Sequence, residues 1–115
     1  MQIAKQDILK FTAFLLFIFL SIIFIFKHEP WRDEAQVWLV VRDIPNFDAF
    51  IEQLGYEATP GLWYFLVYPF AKANLPYLSM TLIHSFITII SAFIFLRYSP
   101  FTNLNKILFI SFLLL

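Results

Sequence analysis

Residues 8–26 read ILKFTAFLLFIFLSIIFIF, a run in which Lys10 is the only charged side chain. As a helix rising about 1.5 Å per residue it covers roughly 28 Å, close to the roughly 30 Å hydrocarbon core of a bilayer. A cleavable signal peptide is the rival reading. Signal cores run about 7–15 residues and end at small residues, whereas this run is longer and leaves through Lys27, His28, Glu29 and Pro30. It reads as an uncleaved first membrane span, with Lys10 able to snorkel toward headgroups. The whole chain agrees: 61% of residues are hydrophobic and 14% charged, against roughly 45–50% and 25% in a soluble domain. The predicted class is all-α, a polytopic α-helical membrane protein.

Tyr77 to Leu96, YLSMTLIHSFITIISAFIFL, is the second predicted span, and a third apolar run begins near Ile107 and stops at Leu115. Nine residues are too few to cross, since a helix needs about 20. The expectation is two full spans and a partial third within one membrane domain over 1–115, the amino-terminal piece of a longer chain. Basic residues near span ends set orientation. Lys5 and Lys10 lie at the start of the first span, and Arg97 and Lys106 bracket the loop after the second. Both placements put the amino terminus in the cytoplasm and residues 27–76 outside, as in a multi-pass protein of the plasma (inner) membrane.

Seven of the eight acids fall in residues 27–75, alongside four bases. A carboxylate costs about 2.5–3.5 kcal/mol at a span centre, so acids gather between spans. The segment is not a plain polar tether. Three short juxtamembrane helices are predicted in it. The first opens at Pro30, tolerated at a first helical position, and runs to Asp43, with Asp33 and Glu34 in the dipole-favoured first turn. The second has Asn46 as N-cap, Gly55 as stop, and Phe47, Phe50, Ile51 and Leu54 as one apolar stripe. The third, Gly61 to Ala73, is short for a span and reads as interfacial or re-entrant; a tilted crossing is the alternative. Trp31, Trp38, Trp63, Tyr64 and Tyr68 read as membrane-interface anchors.

Several chemistries lack their residues. The chain has no cysteine and no Gly-rich phosphate loop, which leaves no thiolate site and no nucleotide-driven step. Zero net charge and the lack of a basic cluster argue against nucleic acid. His28 has no partners at zinc-ligand spacing. His84, inside the second span, sits with Thr81, Ser85, Thr88 and Ser91 on a polar stripe that reads as a helix-packing face rather than a proton relay. The candidate chemistry is therefore carboxylate chemistry at Asp33 and Glu34. Neighbouring acids and partial burial raise a carboxyl pKa, as a general base requires. First-turn acids are also ordinary dipole partners, and the pattern alone leaves both readings open.

The order Arg32-Asp33-Glu34-Ala35-Gln36 after a first span, an amphipathic helix, and then Tyr56-Glu57-Ala58-Thr59-Pro60-Gly61-Leu62-Trp63-Tyr64 resembles the start of the GT-C membrane glycosyltransferases, among them protein mannosyltransferases and lipid A aminoarabinose transferases. The likeness covers roughly residues 8–98. It departs at Ala58, where Gly is usual, and at Gly61, where a second Pro is usual. The resemblance implies transfer of a sugar from a polyprenyl-phosphate-linked donor to an acceptor on the outer face. Asp33 would deprotonate the acceptor and Glu34 would tune it or bind acceptor. Glu57, with Thr59, Pro60 and Tyr64, would shape the donor pocket, and Arg32 and Arg42 are the local cations for the leaving phosphate, or partners of Asp33 and Asp43. Some members use a divalent cation and others do not, and the carboxylates leave that open. The piece by itself is expected to be inactive. The alternative is a small polytopic subunit without catalytic activity, docking partner membrane helices.

Overall fold

The computed structural model describes residues 2–27, 29–57 and 60–113, so His28 and Thr59 lie outside the described residues. Six helices and no strand occur among the described residues: α1 (Gln2–Lys27), α2 (Arg32–Asp43), α3 (Phe47–Leu54), α4 (Gly61–Lys72), α5 (Leu78–Tyr98) and α6 (Asn103–Phe112). They form two compact units, one of residues 1–28 with 84–115 and one of residues 29–83.

Asp7–Lys27 of α1 and Leu78–Tyr98 of α5 are each 21 residues long and apolar enough to cross a bilayer; the first unit holds α1 and α5 from His84 onward. Only 11% and 17% of their most apolar windows are buried within the protein. A helix that is apolar all round is ordinarily covered, so these two present uncovered hydrocarbon surface. Phe17, Ala92, Leu96 and Ile110 make a small core among α1, α5 and α6. The buried Lys106 donates from Nζ to the Leu96 carbonyl at 3.1 Å, taking up one of the carbonyls that the end of α5 leaves open. The third apolar run enters its helix earlier than Ile107. Thr102 accepts from the Asn105 amide at 3.4 Å, and this N-cap starts α6 at Asn103.

The second unit is held by a stripe from each of two helices. Val37, Trp38 and Val41 on α2 meet Tyr64, Val67 and Ala71 on α4, with Phe50 of α3 and Met80 of α5 closing the cluster. Spacings of three and four from Val41 back to Trp38 and Val37, and of three, four and seven among Tyr64, Val67 and Ala71, put each set on one helix face. Trp38 and Tyr64 are thus core residues, 5% and 1% exposed, and not surface anchors; a ring on the inward stripe packs before it can reach an interface. Trp31, 76% exposed, keeps the outward position. Phe50 lies 4.4 Å from the Tyr68 ring and 5.2 Å, edge-on, from Phe65, geometries that add to plain burial.

The start of α2 differs from expectation, while α3 stops at Gly55 as expected and α4 closes by a different turn. Pro30 and Trp31 precede α2, because Trp31 is extended (φ −66, ψ 157) and acts as N-cap. Gly55 ends α3 in the right-handed region (φ −68); the Gly55 and Tyr56 amides instead close tight turns onto the Glu52 and Gln53 carbonyls at 3.1 and 2.9 Å. The left-handed cap falls on Asn74 (φ 55) after α4, where the Leu75 amide reaches back to the Phe70 carbonyl at 3.2 Å, a Schellman-type closure. With 12 residues α4 is about 18 Å long, well short of a crossing.

Lys72, at the end of α4, caps the end of α2. Its ammonium donates to the Arg42 carbonyl at 3.1 Å and to the Ile44 carbonyl, and lies 5.8 Å from the Tyr68 ring centre. A cation there meets both the orphan carbonyls and the negative end of the helix dipole. Lys72→Met keeps the stem and removes the charge. It is expected to cost about 1–2 kcal/mol, read as a lower denaturation midpoint in detergent. At Asn74, a change to Gly is expected to be neutral or stabilising. Asn74→Val should cost about 1–2 kcal/mol, since a β-branched side chain resists positive φ.

Candidate functional site

The acidic end of α2 splits its two carboxylates by face. Glu34 precedes Val37, Trp38 and Val41 by three, four and seven residues, so it shares the buried face and is itself half-buried. Its Oε2 accepts from the Trp31 amide at 3.2 Å. This is the acid's half of a capping box; an indole is a donor only and cannot return the bond. Glu34 therefore has a structural task at the start of α2. Asp33, one position earlier, is exposed, and its carboxylate makes no hydrogen bond or ion pair among the described residues. Arg32 is exposed beside it.

Tyr77, just before α5, was not among the residues singled out by sequence. Its ring stands edge-on to Trp38 at 5.9 Å. Burial raises the phenol above its usual 10, and the nearby Glu34 carboxylate pushes it the same way. Phenol and acid therefore share one locality, although 43 positions separate them in the chain. Only the packing of α2 could have announced it.

The second motif assembles around Glu57. Its Oε2 accepts from the Tyr64 hydroxyl at 2.7 Å and its Oε1 from the Gln53 amide at 2.7 Å. Gln53 belongs to the last turn of α3 and Tyr64 to the first turn of α4, so one carboxylate joins two helices. Tyr64 is held by the core and cannot swing away, which orients Glu57 from beneath. Pro60 is the exposed N-cap of α4 (φ −53, ψ 126), and the Trp63 amide donates to its carbonyl at 3.1 Å. Leu62 is 71% exposed. Gln53 had no sequence signal beyond lying four residues before an acid.

Arg42 stands apart from this group. Nine residues of helix put it about 13 Å along the axis from Asp33. Its Nε and Nη2 bind the two Asp43 oxygens at 2.7 and 3.0 Å. That bond lowers the Asp43 carboxyl below its usual 3.8, with Lys72 helping at longer range, and raises the Arg42 guanidinium in turn. Of the two cations named for a leaving phosphate, only Arg32 lies at the acidic end.

Among the described residues no group of three or more His, Asp or Glu side chains is arranged to hold a metal ion. Comparison with protein-family models, with curated proteins and with solved structures finds no match. The site is thus characterised by its geometry: an exposed acid and base at the start of α2, and a tyrosine-held acid in the connection between α3 and α4.

Two measurements check this geometry. A double-mutant cycle of Tyr64→Phe and Glu57→Gln is expected to return a coupling of about 1–2 kcal/mol, because each single change strands a partly buried partner. In an NMR titration the Asp43 carboxyl should have a midpoint below 3.8, moving upward in Arg42→Gln. The sign follows from linkage: a depressed folded pKa contributes stability above the ordinary carboxylate value, lost as pH falls through the depressed one. Because Asp43 and Arg42 are exposed, the stability change should be small.

Proposed function

We propose that this chain forms the amino-terminal part of an integral-membrane glycosyltransferase of the GT-C type, moving a sugar from a polyprenyl-phosphate donor to an acceptor outside the membrane. In this reading α1 and α5 span the plasma (inner) membrane with the amino terminus in the cytoplasm, and residues 29–77 join them on the outer side. The observation that carries the reading is the Glu57–Tyr64 hydrogen bond of 2.7 Å. The acid and the tyrosine of the second motif meet, and Tyr64 is seated in the same core that fixes the helix bearing Asp33.

The reaction this arrangement would serve is an inverting displacement. Asp33 takes the acceptor's proton as the acceptor oxygen or nitrogen bonds to the anomeric carbon. The bond from that carbon to the phosphate oxygen breaks, and the lipid phosphate leaves with the electron pair. An exposed carboxylate can reach a hydroxyl or amide arriving from water, and Arg32 next to it supplies charge for the departing phosphate. Glu34 supports the helix end and Glu57 presents its fixed oxygens to sugar hydroxyls. No step here requires a metal, and the donor set leaves a divalent ion open.

The test is transfer from polyprenyl-phosphate sugars in membranes carrying the product of the complete reading frame. Asp33→Asn is expected to lower turnover by about 10²–10⁴-fold with helical content unchanged. Glu34→Gln should act chiefly on stability. Wild-type turnover in Asp33→Asn would remove the catalytic assignment.

A second reading has its own observation. Phe47, Ile51, Leu62 and Phe65 are 51%, 47%, 71% and 44% exposed, an apolar surface on α3 and α4 that suits a non-catalytic subunit docking partner helices. Crosslinking from Phe47 and Leu62 to a second membrane protein, together with an inert Asp33→Asn change, would favour it.

A further inference from the structure

A cleft of about 200 Å³ opens in the first unit between the early turns of α1 and the last turns of α5. Its lining is divided by chemistry: Asp7, Lys10 and Arg97 supply its charge, and Phe11, Phe14 and Phe93 supply an aromatic wall, with Phe14 and Phe93 in ring contact at 5.8 Å. We propose that this cleft binds an anionic phospholipid, its phosphate on Lys10 and Arg97 and its first acyl carbons along the phenylalanines. The inference rests on α1 and α5 crossing a membrane and is independent of the transferase reading.

Charge and depth both point to that occupant. Lys10 is near the start of the apolar part of α1 and Arg97 is one residue from the end of α5. One helix enters the bilayer where the other leaves it, so both cations sit at headgroup level of the same leaflet. Lys10 is paired with Asp7 at 2.8 Å, but an ammonium has three donors and a guanidinium five. Two cations against one acid leave the cleft net positive. Arg97 packs beside Tyr98, 5.6 Å from its ring centre, which restrains the guanidinium without consuming its donors. A free phosphate ion would satisfy the cations and leave the aromatic wall bare; a phospholipid satisfies both. Basic pockets beside membrane helices on the cytoplasmic side are suited to such headgroups.

The experiment reconstitutes the full chain in nanodiscs of mixed phosphatidylglycerol and phosphatidylcholine, then measures retained lipid by native mass spectrometry. Phosphatidylglycerol is expected to be enriched over its share of the bilayer. Each cation is expected to contribute on the order of fivefold, so Lys10→Gln combined with Arg97→Gln should remove at least that much. Asp7→Asn leaves both cations in place and should increase the enrichment, which tests the idea even if the double variant misfolds. Equal enrichment in the wild type and a folded double variant, or no rise in Asp7→Asn, would overturn the proposal. Displacement of the lipid by millimolar inorganic phosphate would also overturn it, in favour of a free-anion site. A chain that fails to insert into the discs would sink the membrane reading and this inference together. Transferase activity plays no part in any of these outcomes.

Discussion

The packing of α2 against α4 is the contact from which the candidate site takes its shape. Val37, Trp38 and Val41 interlock with Tyr64, Val67 and Ala71, and each of those side chains is nearly or fully removed from solvent. A short helix alone is marginal in water and owes most of its stability to the apolar face it buries. With 12, 8 and 12 residues, α2, α3 and α4 are three such helices. Take the shared core away and Asp33, Glu34, Glu57 and Tyr64 would sit on a fluctuating loop with no fixed separation.

Polar contacts then set where the packed helices begin and end. Glu34 reaches back to the Trp31 amide, Asn46 accepts from the Ala49 amide at 2.9 Å, and Lys72 reaches across from α4 to the last carbonyls of α2. Each answers the same demand, since helix ends leave backbone groups without partners. Two of these groups come from the residue types that also suggest chemistry. Glu34 illustrates the competition: the bond that makes it useful as a cap takes up one of its oxygens. Asp33, turned to the open flank, carries no such obligation.

The first unit obeys a different constraint. Its two long helices are apolar on nearly every side and stay largely uncovered, so the environment they fit is one that supplies the apolar contacts itself. Several of the polar groups within it are tied locally, whereas the buried Ser99 hydroxyl finds no partner among the described residues. Ser21 donates to the Phe17 carbonyl and Thr88 to that of His84, at 2.8 and 2.9 Å, while Lys106 serves α5. Such back-bonding hides a hydroxyl from hydrocarbon without needing a neighbouring helix. Along α5 the stripe of Thr81, His84, Ser85, Thr88 and Ser91 is only half-covered or exposed.

Periodicity and composition by themselves determined the all-α class, the two long apolar helices, the existence of three short helices between them, and the Asn46 cap. These are local properties, written in the spacing of apolar residues and in side chains that bond their own backbone. Tertiary structure decided what spacing cannot express. It made Trp38 and Tyr64 core, set Glu34 to capping, paired Arg42 with Asp43, joined Gln53 and Tyr64 through Glu57, and brought Tyr77 to the acidic end of α2. The left-handed turn at Asn74 belongs to the same group. The reason is physical: an amphipathic stripe says which face will be buried, but not what will cover it. A polar side chain's role is set by whichever donor or acceptor the completed packing leaves within reach.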